Sequence, residues 1–167
     1  MILPMKIGII GAGHIAEVVA PTLVAMKDME CYAVSSRSLE KAQKFAETFG
    51  FEKAYGSYDE LLADPRVELV YIATPHSHHF EQMMLAIAFG KNILCEKAFT
   101  INAKEAEMIR FSAAKQGVFV AEAIWTRYMP SRKIINEVLA SGIIGNVTGL
   151  TANLCYPVTY KPRILDP

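Results

Sequence analysis

A glycine-rich turn between an apolar run and an amphipathic segment constrains the fold of this chain most. Residues 6–10 form the apolar run, and after the turn apolar residues recur at helical spacing. In such a strand–turn–helix unit, Gly11 permits the tight turn and Gly13 lets backbone amides approach a phosphate. The pattern predicts a dinucleotide-binding turn, with a plain strand-to-helix turn as the alternative. Its candidate cofactor residues are Gly11, Gly13, His14 and Ile15.

Apolar runs and capped amphipathic segments alternate along the first three quarters of the chain. Strands are predicted at residues 6–10, 30–35, 54–55, 67–74, 92–95 and 118–122. The intervening segments have helical spacing, and Ser38, Ser57 and Asn102 are predicted to cap three of them. Pro21 lies inside the first segment, where we expect a kink or an early break. This order predicts an α/β fold, a doubly wound parallel Rossmann sheet with ligands at the carboxyl ends of its strands.

The pattern changes after Ala123. A helix is predicted around residues 134–139, and residues 147–156 alternate like a strand that has no obvious partner in the chain. We therefore predict a dinucleotide-binding domain at residues 1–123. Residues 124–167 are predicted to begin an α+β domain for substrate binding and oligomerisation, which is incomplete here.

Composition narrows the function classes. Lys plus Arg and Asp plus Glu number 17 each, without a basic cluster, which argues against a nucleic-acid surface. The sequence has no apolar stretch of about 18 residues, so no membrane span is predicted. The three cysteines lie far apart without metal-ligand spacing, so a cytoplasmic protein with reduced thiols is the simple interpretation.

The residues after the second strand bear on the choice of cofactor. Sites that prefer NAD place a carboxylate there to bind the ribose 2′-hydroxyl, whereas this chain has Ser36 and Arg37. Arg37 could pair with a 2′-phosphate and stack on adenine, so NADP is favoured and NAD stays possible. A solvated arginine is the alternative.

Two further segments follow predicted strands. Three histidines stand within residues 76–79, but without the spacing of a metal site, and we favour a loop that runs beneath the nucleotide. Glu96 and Lys97 follow the fifth strand, where a ligand is expected. A lysine beside a cofactor can exchange protons, although a surface ion pair would be the commoner explanation.

Four motifs occur in order: Gly-Ala-Gly-His-Ile-Ala from Gly11, Ala-Thr-Pro-His-Ser-His-His from Ala73, Gly-Lys-Asn-Ile-Leu-Cys-Glu-Lys-Ala from Gly90, and Glu-Ala-Ile-Trp-Thr-Arg from Glu122. Together they resemble the Gfo/Idh/MocA oxidoreductase family over the whole chain, and the last resembles its dihydrodiol dehydrogenase branch. The resemblance implies that Lys97 lies beside the nicotinamide and assists proton transfer, although Ala98 replaces the usual proline. It also implies cofactor or active-site contacts from Thr74, Pro75, His79, Glu96, Trp125 and Arg127.

The resemblance implies an NAD(P)-dependent dehydrogenase that moves hydride between nicotinamide and a carbinol carbon of a sugar, cyclitol or dihydrodiol. Family members have a further sheet with the substrate pocket, a second catalytic group and usually an oligomer interface. The 167 residues alone are therefore expected to be inactive, and the complete protein to be a homo-oligomer. The alternatives are an NADP(H)-binding module without turnover and a structural remnant.

Overall fold

A six-stranded parallel sheet forms the centre of the first part of the chain. The computed structural model describes residues 4–155. Its strands are β1 (Met5–Ile10), β2 (Met29–Ser35), β3 (Lys53–Tyr55), β4 (Leu69–Ile72), β5 (Asn92–Cys95) and β6 (Val120–Glu122). Their order is β3-β2-β1-β4-β5-β6, and every neighbouring pair is parallel. The predicted doubly wound α/β fold is confirmed.

Helices cover both faces of this sheet. They are α1 (His14–Ala25), α2 (Leu39–Phe49), α3 (Tyr58–Ala63), α4 (His79–Ala88) and α5 (Ala103–Gln116). The buried residues of α1 and α2 pack in one core with those of β1 and β2, whereas α3, α4 and α5 contribute to a second core. Because the strands are covered on both sides, β1 and β4 are almost entirely apolar.

Side-chain caps fix where three of these helices begin. The side chains of Ser38, Ser57 and Asn102 each accept a hydrogen bond from the backbone N–H three residues later. Such a cap satisfies one of the four N–H groups that a helix start leaves without a partner. The sequence predicted all three caps.

The first helix does not break at Pro21, contrary to the prediction of an early break. Helix α1 continues to Ala25 with Pro21 inside it. Proline removes the hydrogen bond to the carbonyl of Glu17, but both residues lie on the exposed side of the helix. Water can therefore hydrate that carbonyl, and buried Ala16, Ala20 and Leu23 still pack on the sheet.

The chain divides into two compact units, Met1–Ile124 and Trp125–Pro167. The described part of the second has two helices, α6 (Trp125–Tyr128) and α7 (Pro130–Ala140). The predicted strand at residues 147–156 is wrong over residues 147–155, which form no strand, and Tyr156 lies outside the described residues. The described part of this unit offers no second strand with which to pair, and a lone strand leaves its backbone groups unsatisfied.

A largely buried carboxylate, that of Asp64, ties β2 and β3 to the loop before β4. Tyr32 and Tyr55 donate hydrogen bonds of 2.6 and 2.7 Å to Oδ2 of Asp64. The backbone N–H of Arg66 donates to Oδ1 at 2.8 Å. Burial alone would raise the pKa of Asp64, but these hydrogen bonds and the Arg66 guanidinium lower it to about 2. Burial and the carboxylate raise the pKa of Tyr32 to about 12, so its hydroxyl remains a donor.

Asp64→Asn is expected to lower the free energy of unfolding by about 2 kcal/mol at pH 7. A carboxylate whose pKa is depressed in the folded state stabilises the protein above its unfolded pKa. This contribution is lost as the pH falls from about 4 to about 2. Urea unfolding at pH 7 and at low pH measures the effect, with exposed Asp28→Asn as the control. A difference between wild type and D64N that is independent of pH would contradict it.

Candidate functional site

The turn between β1 and α1 leaves open space in front of the helix. Gly11 has a φ of +99°, and its N–H donates to the Ser35 carbonyl at 2.9 Å. Gly13 precedes the helix, and no atom of the described residues 4–155 lies within 4 Å of where its Cβ would be. In the described part of the chain no side chain caps this helix, so the N–H groups of its first turn are available to a ligand. The arrangement suits an anion at a helix N-terminus.

Gly11→Ala is expected to destabilise the fold by about 2 kcal/mol, because a side chain at positive φ is strained. The added Cβ would also stand 2.9 Å from Cγ2 of Thr74 and 3.2 Å from the Ala73 carbonyl oxygen. Gly13→Ala is the matched control, because the backbone of Gly13 has a φ of −102° and its Cβ meets nothing. Thermal unfolding compares the two; equal melting temperatures would contradict this account of the turn.

The ends of β2 and β4 form a cleft beside the glycine turn. In the sheet register Ile10 pairs with both Ser35 and Ile72, so the loops after these strands emerge at one edge. Ser36 is buried, whereas Arg37 is exposed and its guanidinium has no acceptor within residues 4–155. The cleft has a volume of about 230 Å³ and is lined by Arg37, Tyr58, Thr74, Pro75, His78, Glu81, Gln82 and Leu85.

The loop after β5 holds Lys97 at the same edge of the sheet. Ile72 pairs with Cys95, and the N–H of Glu96 donates to the Ile72 carbonyl at 3.0 Å. The hydroxyl of Tyr71 donates to Oε1 of Glu96 at 2.7 Å, and burial followed by this contact raises the pKa of Tyr71. Lys97 is exposed, and the peptide bond to Ala98 is cis. Within residues 4–155 no group accepts a hydrogen bond from its ammonium, which is therefore available to a ligand.

Two more side chains hold the loop beyond Lys97. Oε1 of Glu122, at the end of β6, accepts a hydrogen bond of 2.9 Å from the N–H of Phe99. His79 is fully buried, with Nδ1 2.8 Å from the Ala98 carbonyl oxygen and Nε2 3.0 Å from that of Thr74. The side chain of His79 therefore contacts the backbone of two site loops, and it is not among the residues that line the cleft with Arg37.

Sequence reasoning did not identify Tyr71, Gln82 and Glu122 as site residues. Gln82 accepts a hydrogen bond of 2.5 Å from the Thr74 hydroxyl and is itself buried. The signal for each was a polar group where the pattern required apolar residues: in the central strand, on the inner face of α4 and at the end of β6. Tyr71 and Gln82 are buried and Glu122 is half-buried, and polar side chains removed from water need partners. All three find theirs in the site loops.

The remaining predicted site residues lie in the second unit. Trp125 and Arg127 are in α6 and are exposed. In residues 4–155 no three His, Cys, Asp or Glu side chains are grouped as metal ligands would be. Nor does any helix in that range have the length and apolar character needed to cross a membrane. Cys31, Cys95 and Cys155 are free thiols.

Comparison with known proteins identifies the family. Residues 5–123 match the oxidoreductase family with an NAD-binding Rossmann fold, Gfo/Idh/MocA. The chain belongs to this family. The resemblance inferred from the four sequence motifs is thus confirmed. All six strands of the sheet lie within the matched residues.

Named relatives in the Gfo/Idh/MocA family are dehydrogenases and reductases. Mouse trans-1,2-dihydrobenzene-1,2-diol dehydrogenase is 40% identical over 97% of this chain and 49% of its own length. D-xylose 1-dehydrogenase (NADP⁺) of Hypocrea jecorina is 44% identical over 90% of this chain and 41% of its own. The crystal structure of the 3-ketoreductase KijD10 from Actinomadura kijaniata in complex with NADP has a TM-score of 0.78 at 31% identity, covering 86% of this chain and 46% of that one. The chain spans about half the length of the curated relatives it matches.

Proposed function

We propose that this chain binds NADP(H) for a dehydrogenase that moves hydride between nicotinamide and a carbinol carbon of a sugar, cyclitol or dihydrodiol. One observation carries the proposal: the open helix start at Gly13, the Arg37 cleft and the Lys97 loop share the carboxyl edge of one parallel sheet. Ligands of doubly wound folds bind at this edge. The named relatives, which include an NADP⁺ enzyme, support the same cofactor and reaction class.

The residues at this edge fit the parts of the cofactor. The unpaired N–H groups in front of α1 suit the pyrophosphate, and the absent side chain at Gly13 leaves it room. Ser36 and Arg37 suit the 2′-phosphate and the adenine, since no carboxylate stands there to repel the phosphate. The proposed cofactor contacts are Gly11, Gly13, His14, Ile15, Ser36, Arg37, Thr74, Pro75, Glu96 and Lys97.

Lys97 is the proposed catalytic residue. When bound, nicotinamide accepts or returns the hydride. An alcohol that loses hydride must also lose its hydroxyl proton. The Lys97 amine, which has no acceptor among residues 4–155, can polarise that oxygen or relay the proton. The hydroxyl of Tyr71 holds the carboxylate of Glu96, so the residue before Lys97 is fixed while the Lys97 side chain is exposed.

The second unit is proposed to serve the substrate. Residues 124–167 are assigned to the substrate and oligomerisation region, with Trp125 and Arg127 bordering the active site. Helix α7 exposes the apolar side chains of Ile134, Ile135, Val138 and Leu139, which suits burial in a larger assembly. We propose that the complete protein is a homo-oligomer, and a cytoplasmic location accords with the free thiols. That the 167 residues alone lack turnover stays a prediction.

Two measurements test the proposed function. Fluorescence titration should show NADPH binding by the wild-type chain and at least tenfold weaker binding by Gly13→Ala, because the methyl group fills the pyrophosphate position. Steady-state assays of the protein with NADP⁺ and a panel of sugars, cyclitols and dihydrodiols test turnover. Absence of NADPH binding would contradict the proposal. Binding without turnover in any longer form of the protein would support an NADP(H)-binding module instead.

A further inference from the structure

His79 has an environment that packing alone does not require. The ring is fully buried at the start of α4, and both of its nitrogens face backbone carbonyl oxygens, at 2.8 Å for Ala98 and 3.0 Å for Thr74. Carbonyl oxygens only accept hydrogen bonds, so each contact is a hydrogen bond only where the facing nitrogen carries hydrogen. A neutral ring makes one of these bonds, and a protonated ring makes both.

The two carbonyls belong to two different loops of the proposed site. Thr74 lies in the loop that lines the Arg37 cleft. Ala98 directly follows Lys97, so its carbonyl fixes the backbone immediately beyond the proposed catalytic residue. Tyr71 and Glu122 hold the neighbouring positions, Glu96 and Phe99. Nδ1 of His79 therefore contacts the carbonyl of Ala98, the residue directly after Lys97.

We propose that His79 is a positioning residue for Lys97, acting through Nδ1 on the Ala98 carbonyl. This inference rests on the proposed function, because it assigns Lys97 to the nicotinamide end of the site. The other nitrogen, Nε2, faces the Thr74 loop, so the same ring lies between the Thr74 and Ala98 carbonyl oxygens. Loss of the Nδ1 contact frees the Ala98 carbonyl directly after Lys97, whereas loss of the Nε2 contact leaves Ala98 attached to α4.

Two substitutions separate these contacts. The amide nitrogen of asparagine stands two bonds from Cβ, as Nδ1 of histidine does, and that of glutamine stands one atom further out, nearer to Nε2. His79→Asn therefore retains a donor for Ala98, and His79→Gln retains a donor for Thr74. Each variant keeps a donor for one of the two carbonyls and leaves the other without a side-chain donor, so a merely structural role predicts the same behaviour for both.

The measured quantity is the ratio of the dissociation constants of NADP⁺ and NADPH. The Lys97 ammonium repels the positive nicotinamide ring of NADP⁺ and not the neutral ring of NADPH. Lys97→Met should therefore lower the ratio by about fivefold. His79→Gln should lower it similarly, and His79→Asn should leave it within about twofold of wild type. Equal ratios in both variants would overturn the inference, as would an effect confined to His79→Asn.

Nuclear magnetic resonance of the wild-type chain labelled with ¹⁵N-histidine gives a measurement that does not depend on the variants. A hydrogen on Nδ1 of His79 that exchanges slowly with water is expected, because the ring is buried and the proposal has this nitrogen donate to the Ala98 carbonyl. A bare Nδ1 would overturn the inference while leaving NADP(H) binding intact. Failure of the wild-type chain to bind either nucleotide would instead overturn the proposed function, and this inference with it.

Discussion

Lys97→Met is expected to lower kcat by about 10²–10⁴-fold in protein that oxidises a polyol or dihydrodiol, the range typical of a lost acid–base group. The amine lies at the end of β5, on a loop whose neighbouring residues are held by Tyr71, His79 and Glu122. This fixed backbone restricts where the amine can be, and methionine fills similar space without the proton. The alcohol would then have to lose its hydroxyl proton without a positioned base.

The same variant should change the NADPH dissociation constant far less, since the proposed phosphate contacts lie at α1 and Arg37 rather than at Lys97. Lys104→Met, at an exposed position on α5, is the control for removing a lysine charge. Steady-state and pre-steady-state kinetics separate hydride transfer from cofactor release. Near-normal kcat in K97M would make Lys97 a surface residue and remove the proposed chemistry.

The sheet could be predicted from the sequence because local signals agree with it at each step. Apolar runs marked the strands, and Ser38, Ser57 and Asn102 marked helix starts through contacts that reach only three residues along the chain. Strand limits were less accurate: residues 67–74 were predicted where the ladder covers Leu69–Ile72. Ladder ends depend on the neighbouring strands, and a local pattern does not contain them.

The two errors have a common physical origin. The alternation in residues 147–156 predicted a strand from local preference alone. Pro21 in the same way predicted a kink or an early break, of which the early break does not occur. A strand needs a partner for its backbone groups, and a helix that buries Ala16, Ala20 and Leu23 retains enough packing to include a proline on its exposed face. In each case the deciding interaction is tertiary.

The site was predictable only in part for the same reason. Contiguous motifs identified the glycine turn and the Glu96–Lys97 pair, because these residues directly follow a strand, where ligands of this fold bind. The groups that hold the Lys97 loop come from β4, α4 and β6, and their hydrogen bonds join residues 19 to 25 positions apart. Periodicity describes which side of an element is buried, and it cannot show which distant carbonyl or carboxylate a polar residue meets there.

Arg37→Ala is expected to remove most of the preference of this chain for NADPH over NADH. Arg37 is exposed at the cleft after β2, and its guanidinium has no protein acceptor within residues 4–155 to compete with a 2′-phosphate. A charge-assisted hydrogen bond of this kind contributes about 1.5–3 kcal/mol, or roughly 10- to 150-fold in affinity. The loss should appear in the NADPH affinity, while NADH, which lacks the 2′-phosphate, should bind nearly as before.

Calorimetric titration of wild type and R37A with both nucleotides measures this directly, with exposed Arg110→Ala on α5 as the control for lost positive charge. The preference should also weaken as salt is added, because the contact is open to solvent and its charges are screened. A cleft that distinguishes the two nucleotides by shape alone would show a preference that does not change with salt concentration. Equal wild-type affinities for the two nucleotides, or a preference for NADH, would show that Arg37 is a solvated arginine and that the missing carboxylate after β2 does not decide the cofactor.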